Sequence, residues 1–167
     1  MTKPSVLHNV PLPPAQVIGV AGVVVLERIR SAPMSGPLML RRVVAAAMIA
    51  AGGALNVWAL VERRRRTTGR FDLAQPGSLV TTGPYGFSRH PMYVGWWLVH
   101  LGFGVLRGSN WVFVTLAVAT LAEHAGVVAE ESALEQEFPD EFVRYRERVP
   151  RYLRMRLRPH EPRRRVR

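Results

Sequence analysis

The sequence predicts an all-α integral membrane protein with about four transmembrane helices, including a C-terminal helical hairpin, and an amphipathic cytoplasmic tail. Overall composition argues for nothing so specific, since 48% hydrophobic and 21% charged residues in 167 positions suit one soluble domain. The distribution of those residues decides the matter. Apolar side chains collect in runs at about 15–26, 43–61, 92–106 and 111–122, the last extendable to 129, and arginines collect between and after them. The run from Val43 to Leu60 carries no charge. As a helix rising about 1.5 Å per residue, it nearly matches a hydrocarbon core about 30 Å thick.

Taken in order, residues 1–14 show little pattern, and Gln16 to Leu26 opens the first span. A linker at 27–42 contains Pro33, Gly36 and Pro37, and the second span follows to about Val61. Its Ala45, Ala46, Ala47, Ala50, Ala51, Gly52 and Gly53 let helix backbones approach closely in lipid, so the glycines read as packing residues. Glu62 and Arg63 to Arg66 end this span. Between Gly83 and Gly95, Pro84 and Pro91 each remove a backbone donor and push the preceding residue out of helical geometry. That stretch is an ordered loop feeding a helix, with Pro91 at its first position. The last two apolar runs form a hairpin turning at Arg107 to Asn110, with Trp111 as an interfacial anchor.

Charge sets orientation. The net charge is +11, and half of the 22 arginines lie at or beyond Arg144. Beside apolar spans, a basic tail points to the anionic cytoplasmic leaflet and not to nucleic acid. Arg63 to Arg66, Arg70 and Arg89 place residues 62–91 in the cytoplasm by the same logic. One feature conflicts with four spans: the linker at 27–42 then falls outside while carrying Arg28, Arg30, Arg41 and Arg42. Either these side chains snorkel or the first segment is not a full span. The absence of cysteine excludes disulfides, thiolate metal sites and cysteine nucleophiles. The five histidines include no pair at helical spacing, so no metal site is expected.

Candidate chemistry lies at the cytoplasmic ends of the last helices. On one helix, Glu123, Val127, Glu130, Glu131 and Leu134 share a face, as do His124, Val128 and Glu131, so both acidic pairs and His124 are expected to look at one cavity. Ionisable groups inside a membrane segment are costly and usually face a polar site. Leu134, Phe138, Phe142 and Tyr145 then recur at helical spacing, giving an amphipathic segment able to fold back on the loop containing His90. His100 lies mid-helix among Trp96, Trp97 and Phe103 and reads as a structural hydrogen-bonding residue.

Gly83-Pro-Tyr85, then Arg89-His-Pro-Met-Tyr93-Val-Gly95, an apolar hairpin, Glu130-Glu-Ser-Ala-Leu134, Phe142, Tyr145 and Val149-Pro-Arg151 together resemble the isoprenylcysteine carboxyl methyltransferase and phospholipid methyltransferase family of membrane enzymes. The resemblance covers residues 83–152, roughly two fifths of the chain. It implies one membrane domain: N-terminal spans and a basic loop over 1–82, the cofactor-binding loop, hairpin and C-terminal segment over 83–152, and a basic tail over 153–167. It also implies S-adenosylmethionine held on the cytoplasmic side by Tyr85, Arg89, His90, Pro91, Tyr93, Glu130 and Glu131, with Tyr145 and Arg151 as the catalytic residues near the reacting end. The chain departs from the family at Phe138-Pro-Asp-Glu-Phe142 and at Tyr152-Leu153, so the acceptor end is the less defined one.

The chemistry agrees with that assignment. Anionic acceptors suit the cofactor's ribose and ammonium, cationic donors suit its carboxylate, and the acceptor is expected to be a lipophilic carboxylate, thiol or amine met at the membrane. An Ala, Val, Gly and Arg bias points to a high-GC bacterium and hence to a bacterial cytoplasmic membrane. Two other readings compete. A sterol-type NADPH reductase has a similar C-terminal motif but needs more spans than 167 residues supply. A non-catalytic basic adaptor explains the arginines but gives no reason for Arg89-His90-Pro91 to occur with Glu130-Glu131.

Overall fold

The computed structural model describes residues 13–66 and 78–153. Expectations that fall on 1–12, 67–77 and 154–167, including Arg70 and the final arginines, lie outside the described residues. Among the described residues, five α-helices follow one another: α1 (Pro14–Ile29), α2 (Leu38–Arg66), α3 (Pro91–Arg107), α4 (Trp111–Glu137) and α5 (Pro139–Arg148), with a 3₁₀ turn at Gly83–Gly86 before α3. Among the described residues there is no strand, only a single bridge between Pro33 and Ser109. The helical class follows the apolar periodicity, and the helix starts follow the prolines. Pro14, Pro91 and Pro139 each open a helix where the missing N–H has no helical partner to lose.

The two longest helices, α2 and α4, contain apolar 18-residue windows of mean hydropathy 1.9 and 1.8, sufficient to cross a bilayer. Only 17% and 22% of those windows are buried inside the protein, so their apolar surface faces outward, as lipid requires and water penalises. Val57, Trp58, Phe113, Val118 and Leu121 are all exposed, while Gln16, His100, Thr115 and Glu123 are buried. The shorter α1 and α3, at 16 and 17 residues, cover about 24–26 Å.

Helix α2 packs along α3 and α1 along α4, with α3 also touching α1 and α4. The α2–α3 crossing depends on glycine. A Cβ on Gly52 would overlap the Gly95 carbonyl, and one on Gly95 would overlap Asn56. Gly53, its neighbour in sequence, faces open space, so only one of the pair serves the packing. On the opposite pair, the carboxylate of Glu123 accepts the Gln16 N–H at 3.1 Å and the Gln16 Nε2 at 2.9 Å, satisfying a donor in the first turn of α1. Gln16 Oε1 lies 2.8 Å from His100 Nδ1, and His100 Nε2 lies 3.0 Å from Thr115 Oγ1. His100 is thus the hydrogen-bonded structural residue its surroundings predicted.

At one end of the bundle the linker between α1 and α2 seats on the hairpin tip. Met34 N donates to Gly108 O at 2.7 Å and Asn110 N to Ala32 O at 2.8 Å, while Trp111 Nε1 caps the chain at Arg30 O at 2.7 Å. Gly108 ends α3 at φ 66°, and the Arg41 guanidinium packs where its side chain would be. Glu27 accepts Ser109 Oγ, Ser31 Oγ and Ala32 N, with Arg107 nearby. The linker is shorter than expected, at 30–37, because α1 continues through Glu27 and Arg28. At the other end, α4 runs on to Glu137 and breaks at Phe138, where Pro139 starts α5.

Candidate active site

The site is assembled where the loop after the 3₁₀ turn meets the chain after α5. Arg89 N donates to Pro150 O at 2.9 Å and His90 N to Arg151 O at 3.1 Å, so two short segments distant in sequence run side by side. Ser88 Oγ adds a bond to Arg151 O at 3.3 Å. The apolar face of α5 holds this return in place: Phe142, Tyr145 and Val149 are buried with Leu79, Leu134 and Phe138 packed against them. The amphipathic segment thus folds back toward His90 as its spacing suggests, with a bend at Phe138 between α4 and α5.

Glu131 is the centre of the arrangement. Its Oε1 accepts Arg89 Nε at 2.9 Å and faces His90 Nε2 at 3.1 Å, and its Oε2 accepts Arg151 Nη2 at 2.7 Å and Nε at 3.0 Å. The side chains of Glu131, Arg89 and His90 are 5–7% exposed, whereas that of Arg151 remains 34% exposed. Since Glu131 Oε1 is an acceptor, His90 carries a proton on Nε2. Arg89 is further committed through Nη1 to Val149 O at 2.7 Å and Arg146 O at 3.3 Å. The Glu131 hydrogen bond holds the Arg151 guanidinium in its charged form.

Glu130 points differently. Its Oε2 is 3.8 Å from His90 Nδ1 and its Oε1 3.9 Å from Arg63 Nη1, and its side chain is 37% exposed. It lines a cleft with Arg63, Tyr85, Arg89, His90 and Tyr145, closed at one side by Leu79, Val80, Leu134 and Phe142. The space between these residues is about 410 Å³ with the open mouth counted. Tyr145 donates its hydroxyl to Tyr85 O at 2.7 Å, and burial pushes its phenol above the ordinary range. Burial likewise raises Tyr85, which lies beside Arg63. Tyr93 stacks edge-on to His90, and Tyr152 lies 6.1 Å from His90 and 4.7 Å from Trp97, ring centre to ring centre. Pro91 is fully buried at the start of α3.

Of the residues predicted from sequence, Arg89, His90, Glu131 and Arg151 come together directly, and Tyr85, Glu130 and Tyr145 share the cleft. The expectation of one cavity for both acidic pairs is corrected. Glu123 and Glu131 occupy the same buried stripe of α4, but Glu123 turns to the first turn of α1, and His124 is exposed with its Nδ1 3.3 Å from Tyr152 Oη. Lateral packing by α1 captures Glu123 before it reaches the cleft. Arg63 was missed. It was one of four arginines marking a cytoplasmic end, yet it alone continues the buried stripe of Ala45, Gly52 and Ala59, while Arg64, Arg65 and Arg66 are exposed.

The described residues are helical, two of the helices are long and apolar enough to cross a bilayer with their apolar faces outward, and a polar, partly open cleft lies at one helix end. Residues 40–141 match the phospholipid methyltransferase family, and the chain belongs to that family. Among curated proteins it is 40% identical over 76 residues to the cobalt-zinc-cadmium resistance protein CzcN of Cupriavidus metallidurans, covering 45% of this chain and 35% of that one. It is 37% identical over 75 residues to the nickel-cobalt-cadmium resistance protein NccN of Alcaligenes xylosoxydans xylosoxydans, covering 44% and 35%. It is 38% identical over 74 residues to the protein-S-isoprenylcysteine O-methyltransferase of Schizosaccharomyces pombe, covering 43% and 31%. The matched segment spans about a third of the length of these relatives.

Proposed function

We propose that this protein transfers a methyl group from S-adenosylmethionine to a lipophilic acceptor at the cytoplasmic face of a membrane, through one domain of four membrane-inserted helices. The observation that carries the reading is the Glu131 hub, which gathers Arg89, His90 and Arg151 from two segments at the mouth of a cleft in a member of the phospholipid methyltransferase family. The donor set suits the cofactor: acceptors at Glu130, cations and a buried phenol along the wall, and an apolar side formed by Leu79, Val80, Leu134 and Phe142.

When bound, S-adenosylmethionine supplies an electrophilic methyl on a sulfonium. The chain supplies position. Glu131 fixes His90 and Arg89 and so shapes the site without offering its own oxygens, both of which are occupied. Tyr85 lines the cleft, Tyr93 packs edge-on against His90, buried Pro91 starts α3 next to it, and Tyr145 holds the Tyr85 backbone through its hydroxyl. Arg151, the most open member of the hub, is the group placed to meet an anionic acceptor. Orientation and exclusion of water account for most of the rate when the nucleophile is already an anion. Calorimetry of the purified protein in detergent with S-adenosylhomocysteine, followed by label transfer to lipophilic acceptors, tests the reading. Absence of both binding and transfer would overturn it, and binding of NADPH instead would favour the reductase alternative.

A further inference from the structure

The buried cation of the hub, Arg89, is largely engaged within the protein, while the more open Arg151 faces the acceptor end. Arg89 spends Nε on Glu131 and Nη1 on two carbonyls, and Arg151 spends Nε and Nη2 on Glu131. The cleft nevertheless contains a second cationic element from another helix. Arg63, from the last turn of α2, lies in the cleft wall with its side chain only 10% exposed. Beside it sits the Tyr85 hydroxyl, 7% exposed as a residue and with no partner in hydrogen-bonding geometry. A phenol next to a guanidinium can accept from it, but its own O–H still requires an acceptor. A buried O–H without an acceptor, lying beside a guanidinium charge, is matched by an oxyanion. Across from them, Glu130 Oε1 stands 3.9 Å from Arg63 Nη1, beyond direct hydrogen-bond distance, and is open to the mouth.

We propose that Arg63, Tyr85 and Glu130 form a zwitterion site, Arg63 and Tyr85 taking an anion and Glu130 taking an ammonium a short distance away. This deepens the methyltransferase reading and rests on it for one of two possible sources of that chemistry. The amino-acid end of S-adenosylmethionine carries a carboxylate and an ammonium on one carbon. The headgroup of a zwitterionic phospholipid carries a phosphate and an ammonium two carbons apart. In either case Arg63 and the Tyr85 hydroxyl together face the anion, and Glu130 the ammonium.

The experiment is calorimetry in detergent with three probes: S-adenosylhomocysteine, 5′-methylthioadenosine, which has the same nucleoside without the amino-acid end, and a soluble short-chain phosphatidylethanolamine. Arg63→Gln, Arg63→Lys and Tyr85→Phe are compared with the parent, and thermal unfolding checks that each variant is folded. If the cofactor is the occupant, Arg63→Gln weakens S-adenosylhomocysteine at least tenfold, Tyr85→Phe severalfold, and 5′-methylthioadenosine changes less than twofold in both. Arg63→Lys then retains part of the affinity. If the headgroup is the occupant, the loss falls on the phospholipid alone. Equal losses for S-adenosylhomocysteine and 5′-methylthioadenosine, or no loss for any probe in a folded variant, would overturn the zwitterion site. Failure of the parent to bind either nucleoside would instead count against the methyltransferase reading, with the phospholipid arm still testing Arg63 and Tyr85.

Discussion

A carboxylate bonded to two arginines and a histidine is held by its surroundings more than it holds them. Glu131 is nearly buried, so removing its charge leaves the buried Arg89 guanidinium without its carboxylate partner in a poorly hydrated place. Glu131→Ala is expected to destabilise the protein by about 3 kcal/mol or more, the scale for removing one member of a buried ionic network. Thermal unfolding in detergent measures this, and an unchanged midpoint would mean that water reaches the hub freely. His90→Ala removes one partner and leaves two, so its main expected effect is on ligand affinity. A weakening of S-adenosylhomocysteine by about 1.5–3 kcal/mol is predicted, the value of a hydrogen bond to a charged group. Parent-like affinity would place the cofactor elsewhere.

Helices in lipid gain little from burying apolar surface against each other, so their crossings depend on how closely backbones approach. Gly52 and Gly95 make that approach between α2 and α3, and each would drive a methyl group into the other helix if replaced by alanine. Gly52→Ala and Gly95→Ala are each expected to cost about 1–3 kcal/mol through overpacking. Gly53 and Gly126 have nothing within reach of an added methyl, so Gly53→Ala and Gly126→Ala should be neutral or slightly stabilising, as alanine favours a helix by up to about 1 kcal/mol. Four unfolding curves check both halves. A penalty at Gly53 matching that at Gly52 would require a contact on the lipid-facing side of α2. A similar logic applies to α5, whose ten residues gain their place from Phe142 and Tyr145 and not from intrinsic helix stability.

For the molecule as a whole, the linker after α1 and the hairpin tip share one end, and the Glu131 site occupies the other. In a bilayer the two ends should be reached from opposite sides. With no native cysteine, Ser35→Cys and Arg65→Cys, both at exposed positions, can be labelled one at a time in sealed vesicles by an impermeant thiol reagent. Opposite accessibility is expected, and labelling of both from one side would rule out this orientation. Arg28, Arg30 and Arg41 lie at the linker end, and Arg41 there donates to Met34 O at 2.9 Å instead of reaching water alone. A cleft at helix ends also bears on the acceptor. Each CH₂ left in lipid is worth about 0.8 kcal/mol, so transfer rates at equal acceptor concentration should rise severalfold with each carbon added to a chain. A length series of one carboxylate, one thiol and one amine with labelled cofactor measures this, and best turnover of the shortest member in all three would indicate a small water-soluble substrate.

The sequence by itself determined the features that depend on local physics. Pro91 sets the start of α3 because it lacks an N–H, Gly108 ends that helix at a backbone angle glycine tolerates, and the apolar runs become helices whose outer faces suit lipid. It also singled out Arg89, His90 and Glu131, charges at apolar helix ends that are costly when unpartnered, and these three meet in the structure. Tertiary structure decided what those residues touch. Which of four consecutive arginines turns inward is set by the phase of α2 against α3, so Arg63 enters the cleft and Arg64 to Arg66 do not. Which of the α4 acids is captured is set by the lateral position of α1, which takes Glu123 away from the site. Periodicity along one helix specifies a face, but the neighbour that the face meets depends on chain segments up to 107 residues away, as Gln16 is from Glu123.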